Sequence, residues 1–434
     1  MSKNRPQLLF SDKKGKIFSF SGLEAAGMKA RHFFRFSQSD LIKLPACSSL
    51  FVLPGRLPLG FSQEDNSFRA LKYNPFKKNR EEVFAVSAFI APGFTLTHNV
   101  AYQEIAHPKI LPLFAYAPVC FYKNEFYVAA VATDREKRQD ERLMSLELIN
   151  KNVKQLRKIF PKNRLMRHLE GCALVNNCPA AKNFFLNRYE APLPTSPFCN
   201  SRCLGCISYQ PQNKIPVTQP RIKFFPSPEE ISQTALYHLG KVRDAVVSFG
   251  QGCEGEPLMA GKIIEEAIRL MRRSTSKGII NLNTNASKPK IIARLFDCGL
   301  DSMRVSLNSA QEEYYNRYYK PQDYSFASVL DSIKEAKVRG GFVSLNYLTL
   351  PGFTDSQEEY LALEDLLGKY SLDMIQWRNL NFDPARYCSE LKISCEKSEM
   401  LGIKNMINTL KKRFPRLLMG YFNPSRERIK RKRG

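Results

Sequence analysis

At 434 residues, 43% apolar and 25% charged, the chain exceeds what one hydrophobic core supports and predicts two or three domains of ordinary soluble composition. Eleven cysteines, an odd number, behind a polar and basic Met1–Lys16 with no export signal, exclude a disulfide framework and predict reduced thiols in a cytoplasmic protein. A membrane span is not expected, because the longest uncharged run, Val83–Gln103, is interrupted by Pro92, Gly93, Thr95, Thr97, His98 and Asn99; the net charge of +25 biases the chain toward anionic partners, with nucleic acid and a merely lysine-rich surface weighing equally.

From Lys16 to about Thr133, short apolar stretches alternate with turn residues. Ile17–Phe20, His32–Phe36, Leu50–Leu53, Val83–Ile90 and Phe126–Val131 have the aromatic and β-branched content of strands. Pro54-Gly55, Pro92-Gly93 and Lys123-Asn124 read as turns between them. Residues 1–135 are therefore expected to form a β-rich domain. Pro54–Gly60 is read as a structural turn in preference to a binding loop, since its glycine spacing matches no phosphate cradle. His32, His98 and His107 are too scattered to suggest a metal site and read as satisfied histidines.

The charge run Asp134–Arg142 opens a helical connector expected over 136–188. Leu143, Leu146, Leu148, Val153, Leu156 and Phe160 recur at helical spacing, and Pro161 ends the pattern. Cys172 and Cys178, just before Phe184-Phe185-Leu186, read as buried thiols, with membership of an auxiliary cluster as the alternative.

After Pro192, Pro194 and Pro197 comes Cys199-Asn200-Ser201-Arg202-Cys203-Leu204-Gly205-Cys206, three cysteines within eight residues. One backbone turn can aim all three thiols at a common centre. A four-iron cube normally takes four thiolates, so three leave one iron open; a structural zinc completed by a distant ligand is the alternative. Beyond this loop, 189–385 alternates strand and helix signals, the sequence sign of βα units. Ser227-Pro228-Glu229-Glu230 caps a helix. Strands are expected at Ala245–Phe249, Ile279–Leu282, Val305–Leu307, Phe342–Leu350 and Met374–Leu380, and helices at Leu258–Met271, Pro289–Phe296, Tyr314–Tyr319 and Ser356–Leu367.

The spacing CxxxCxxC resembles the signature of the radical S-adenosylmethionine (radical SAM) superfamily. That resemblance implies a partial (β/α)6 barrel, which the five strand signals match once the segment before the cysteines is counted as a sixth, in an α/β chain with an additional N-terminal β-rich domain and a short basic C-terminal extension. It implies that Cys199, Cys203 and Cys206 ligate a [4Fe-4S] cluster, and that S-adenosylmethionine chelates the fourth iron and is cleaved reductively to a 5′-deoxyadenosyl radical that abstracts hydrogen. A one-electron donor of flavodoxin or ferredoxin type is implied as partner.

In barrels of parallel strands the site lies at the C-terminal strand ends, and the family's motifs map there. Gly255-Glu256-Pro257 matches a Gly-Gly-Glu-Pro motif, Glu254 standing in place of its first glycine. Asn283-Thr284-Asn285-Ala286 resembles a Thr-Asn-Gly segment with Ala286 in the glycine position. Arg304, Ser306 and Asn308 fall on the fourth-strand end that holds carboxylate and ribose, and Asn346 with Pro351-Gly352 resembles the fifth. The cofactor-binding set implied is thus Gly255, Glu256, Pro257, Thr284, Asn285, Arg304, Ser306 and Asn308. Gly205 stands where an aromatic residue usually packs on adenine, with Ile207 or Tyr209 as replacements. Cys253, beside the motif, reads as space-filling, ahead of a second-cluster ligand or hydrogen donor. No catalytic residue is assigned.

The extension, 386–434, carries Cys388 and Cys395, an amphipathic basic helix around Ile403–Phe414, and six positive charges in the eight positions from Arg426 to Arg433. That end is either an RNA-phosphate contact or a disordered, solvated tail. The reading is a radical SAM enzyme whose substrate, RNA or a peptide among the options, is open. The rival is a nucleic-acid-binding iron–sulfur protein with a structural or redox-sensing cluster.

Overall fold

The computed structural model describes residues 5–106, 108, 110–211 and 215–433, the side chains of 430–433 excepted; His107 lies outside this set. The chain divides into two compact units, one of residues 1–134, 348–363 and 377–414, the other of residues 135–347, 364–376 and 415–434. Among the described residues, no helix is long and apolar enough to cross a membrane.

The first unit is built on a 13-stranded sheet. The expected strands are present as Ile17–Lys29, His32–Arg35, Ser49–Leu53, Phe84–Phe89 and Glu125–Ala132, joined by shorter ones that pair antiparallel with them. Pro54–Gly60 is corrected: only Pro54-Gly55 turns, and Arg56–Ser62 is a strand. Its Arg56 is 2% exposed and pairs with Asp383 at 2.9 Å, which also accepts from Tyr102 Oη at 3.0 Å. A pair this buried is costly to break from one side.

His98 is a core histidine, edge-on to Phe36 with ring centroids 5.4 Å apart and with Nδ1 3.1 Å from Thr97 Oγ1. Burial first, then the charge of Lys29, pulls its pKa from 6.5 to about 3, against a smaller opposing pull from Asp40. The folded pKa lies below the unfolded one, so this stability is full above pH 6.5 and is lost as pH falls. From about pH 6 to about pH 5, wild type should lose about 1 kcal/mol more unfolding free energy than His98→Gln, read from denaturant melts. Parallel curves for the two proteins would refute this.

The second unit contains a 7-stranded sheet in chain order: Glu190–Pro192, Val246–Phe249, Ile279–Thr284, Ser302–Leu307, Phe342–Thr349, Met374–Asn379 and Leu418–Gly420. The successive pairs of the first five strands, and the last pair, run parallel. This is the expected partial barrel with a short seventh strand added. Its helices include α1 (Leu146–Ile159), α2 (Arg164–Leu174), α3 (Pro179–Phe185), α4 (Pro228–Lys241), α5 (Gly261–Ser274), α6 (Pro289–Asp297), α7 (Glu312–Tyr319) and α8 (Phe326–Val338). Ser227 and Glu230 close the capping box of α4 as read. The aromatic run Phe184-Phe185 belongs to α3, and the first strand starts four residues after Leu186.

Side chains alternate across each strand. On the fourth strand Met303, Val305 and Leu307 are fully buried, while Arg304 and Ser306 share the opposite face. That face is lined with amides: Asn281 Nδ2 donates to Asn283 Oδ1 at 2.8 Å, Gln376 Nε2 to Asn423 Oδ1 at 3.0 Å, and Asn423 Nδ2 to Glu190 Oε1 at 2.8 Å. The basic C-terminus is a helix, Arg426–Arg433, and not a disordered tail. Its Ile429 packs into a core cluster with Val246, Ile279, Phe342 and Met374, residues from the N-terminal parts of four barrel strands. Arg426 donates to Gly278 O at 3.0 Å and Arg428 to Glu136 Oε1 at 3.4 Å.

Candidate active site

The chain leaves the first strand through Leu193, whose amide donates to Ser248 O at 2.8 Å, and runs buried through Thr195 and Ser196 to Cys199. The cysteine loop is then held from outside. Arg202 and Leu204 donate backbone N–H groups to Tyr319 O and Tyr318 O at the end of α7, at 2.9 and 3.1 Å. Gln210 Nε2 donates to Leu204 O and Cys206 O, both at 3.0 Å, and Cys206 N closes a turn on Cys203 O at 3.3 Å.

The three thiols interact electrostatically. Burial pushes Cys199 up to about 11, with the charge of Glu256 next and that of Cys206 adding to it. Burial also pushes Cys203 up, with Cys206 and Cys199 adding to it. Arg221 opposes both shifts, and its Nη2 lies 3.6 Å from Cys206 Sγ. A loop in which burial and neighbouring charge disfavour ionisation of Cys199 and Cys203 suits a cationic iron centre, which would supply the missing positive charge. Tyr209 is 46% exposed with the Arg221 guanidinium 4.9 Å from its ring centroid, and the Ile207 Cδ1 packs against Gly252.

The loop after the second strand meets the cysteine loop backbone to backbone. Gly255 N donates to Ser196 O at 2.6 Å and Glu256 N to Phe198 O at 2.8 Å. A Cβ on Gly255 would stand 2.0 Å from Phe198 O and 3.1 Å from Cys199 N, so this approach admits only glycine. Pro257 then opens a short 3-10 turn, Pro257–Ala260, leading into α5.

Two buried carboxylates organise this junction. Glu254 Oε1 accepts from Gly250 N and Gln251 N at 2.7 Å each; its Oε2 accepts from Thr195 N at 2.7 Å, Ser196 N at 3.1 Å and Thr195 Oγ1 at 3.0 Å. The residue that departs from the family motif is thus a five-donor staple between the two loops. Glu256 accepts from Thr284 Oγ1, from Leu258 N at 3.1 Å and from Asn285 N at 2.8 Å. Burial nevertheless outweighs these bonds and raises its carboxyl from 4.5 to about 7.

Asn285 ties the third-strand end to the cysteine loop, its Nδ2 donating to Asn200 Oδ1 and Ser201 Oγ at 2.9 Å each. Asn200 in turn donates to Ser287 Oγ at 3.0 Å and Asp323 Oδ1 at 2.6 Å. Ala286 is fully buried at φ 56°, the left-handed region, which accounts for glycine at this place in the family pattern. Its carbonyl accepts from Ser332 Oγ of α8 at 2.6 Å.

Cys199, Gly255, Glu256, Thr284 and Asn285 are therefore brought into one cradle. Arg304, Ser306 and Asn308 stand on and after the fourth strand: Arg304 Nη1 donates to Gln376 Oε1 at 3.0 Å, and the buried Asn308 donates to Tyr314 O at 3.1 Å. Sequence reasoning missed Asn200 and Arg221 and took Glu254 only as a departure. A polar residue inside the cysteine spacing marks Asn200; nothing in the sequence marks Arg221.

Residues 193–363 match the model of the radical SAM superfamily. The chain is similar to the GTP 3',8-cyclase of Paracoccus denitrificans (strain Pd 1222), 26% identical over 201 residues, 44% of this chain and 52% of that protein. The GTP 3',8-cyclase of Pseudomonas putida (strain W619) is 25% identical over 165 residues, 37% of this chain and 44% of that protein. The chain thus spans about half the length of the curated relatives it matches. Among solved structures, the FeFe-hydrogenase maturase HydG from Carboxydothermus hydrogenoformans is matched at 17% identity and a TM-score of 0.37, covering 62% of this chain and 66% of that one. The cofactors of the superfamily are a [4Fe-4S] cluster and S-adenosylmethionine. The cysteine loop, the glutamate cradle and the family match coincide, and the chain carries a radical SAM domain over residues 193–363.

Proposed function

We propose that the protein is a radical SAM enzyme in which Cys199, Cys203 and Cys206 hold a [4Fe-4S] cluster and the loop around Glu256 receives S-adenosylmethionine. The observation that carries this reading is the approach of Gly255 and Glu256 onto the backbone of Ser196–Cys199, closer than any side chain permits. A cluster held by Cys199, Cys203 and Cys206 would supply the one electron for reductive cleavage of S-adenosylmethionine, chemistry that would serve hydrogen abstraction from a substrate.

The chain's own groups prepare that site. Arg221 stands against the loop, its Nη2 3.6 Å from Cys206 Sγ. Glu256 spends three acceptor positions on protein donors, and a carboxylate has about four, leaving capacity for the amino group of the methionine moiety. Thr284 and Asn285 orient that carboxylate, while Pro257 directs the chain away into α5. Arg304, Ser306 and Asn308 supply polar groups at the fourth-strand end for carboxylate and ribose. A flavodoxin- or ferredoxin-type donor delivers the electron; the reading commits to no substrate.

Anaerobically reconstituted protein with dithionite and S-adenosylmethionine should release 5′-deoxyadenosine, and Cys203→Ala should release none. Cluster-loaded wild type that yields no such product would remove the proposal.

A further inference from the structure

A second group of metal-ligating side chains lies outside the cradle. His168 and Cys172 stand one turn apart on α2 and so face the same way; Cys253 comes from the loop after the second barrel strand, 81 positions on. Their ligand atoms all lie within 4.8 Å of one another. His168 Nε2 is 3.5 Å from Cys172 Sγ, and Cys253 Sγ lies within 4.8 Å of both. Cys172 and Cys253 are buried, and the imidazole is edge-on to Phe224, with ring centroids 6.5 Å apart. Cys178, the N-cap of α3, is tied to the same helix end, its N–H donating to Cys172 O at 2.9 Å.

The spacing discriminates between metals. Around one tetrahedral zinc, ligand bonds of about 2.3 Å to sulfur and about 2.0 Å to nitrogen place neighbouring ligand atoms about 3.5 Å apart. The His168–Cys172 separation has that value. A four-iron cube seats each thiolate on a different iron and needs its ligands spread more widely.

We propose that His168, Cys172 and Cys253 form a zinc site that fastens α2 to the loop carrying Glu254 and Glu256. Two sulfurs and one nitrogen are a donor set that zinc takes, with the fourth tetrahedral position left to a non-protein ligand such as water. Loop 250–257 is then held by the metal at Cys253 as well as by the hydrogen bonds of Glu254 and Glu256. The zinc assignment is independent of chemistry at Cys199, Cys203 and Cys206.

Metal analysis of the full chain purified anaerobically should find about one zinc per chain. Cys172→Ser/Cys253→Ser should bring zinc to background, whereas Cys120→Ser, a buried thiol elsewhere, should leave it unchanged. Replacing Cys199, Cys203 and Cys206 together by alanine should remove iron and keep zinc, which separates this site from the cluster proposal. In that iron-free background, cobalt(II) should give thiolate-to-cobalt charge transfer and tetrahedral d–d bands, a readout that does not depend on the serine variants folding. Three results would overturn the proposal: folded wild type with zinc at background and no cobalt bands; zinc undiminished in Cys172→Ser/Cys253→Ser; or extra iron, or a Cys172–Cys253 disulfide, in place of zinc.

Discussion

Gly255→Ala is expected to abolish iron loading at the cysteine loop and to lower the unfolding free energy by about 3–5 kcal/mol. The added methyl would sit 2.0 Å from Phe198 O and 2.4 Å from Phe198 C, both backbone atoms with no rotamer to escape into. Separating the strands by about 1 Å relieves the clash but stretches both junction hydrogen bonds, at 2.6 and 2.8 Å. Overpacking costs about 1–3 kcal/mol and each lost buried bond about 1 kcal/mol more. Because Cys199 directly follows Phe198, the movement is passed to the first thiol of the loop. Denaturant melts of the metal-free protein and iron per chain after reconstitution read the two effects separately. A variant that melts like wild type and loads iron normally would show that the close approach is not needed.

Glu254→Gln is expected to cost about 3 kcal/mol, although it changes one oxygen to nitrogen. The wild-type carboxylate accepts five hydrogen bonds, four of them from backbone N–H groups. A glutamine amide keeps one acceptor oxygen and turns its other end into a donor. Whichever way it flips, at least two buried N–H groups face an N–H. Each unsatisfied buried donor costs about 1–3 kcal/mol. Iron loading should fall less than with Gly255→Ala, since Glu254 touches the approach to the cysteines and not the cysteines themselves. A loss under about 1 kcal/mol would mean that the loop relaxes around the amide.

These two residues also mark how far the sequence could be read. The barrel strands were legible because parallel strands form apolar runs between helix-start signals such as Ser227-Pro228. The three cysteines and Gly255-Glu256-Pro257 were legible because their spacing is local. Glu254 was not: its function depends on backbone donors from Thr195 and Ser196, about 60 positions away, which no composition reveals. His168, Cys172 and Cys253 are separated in the same way. The first unit was read less completely. Strands such as Leu41–Lys43, Phe94–Leu96 and Tyr102–Glu104 are too short to show a period of two, and Arg56–Ser62 contains Pro58 and Gly60, which imitate a turn. Ile429, one apolar residue in a basic run, gave no periodicity by which to expect a buried helix.

Ala286 holds a backbone shape that its own residue type disfavours by about 1 kcal/mol. Bonds around the turn hold it there: its N–H donates to Thr284 Oγ1 at 2.9 Å, and its carbonyl accepts from Ser332, a neighbour far along the chain. An isolated peptide with this turn would therefore relax to something else. The rim of the cradle therefore takes its shape from the assembled barrel, since a hydroxyl from α8 meets the carbonyl of the bend.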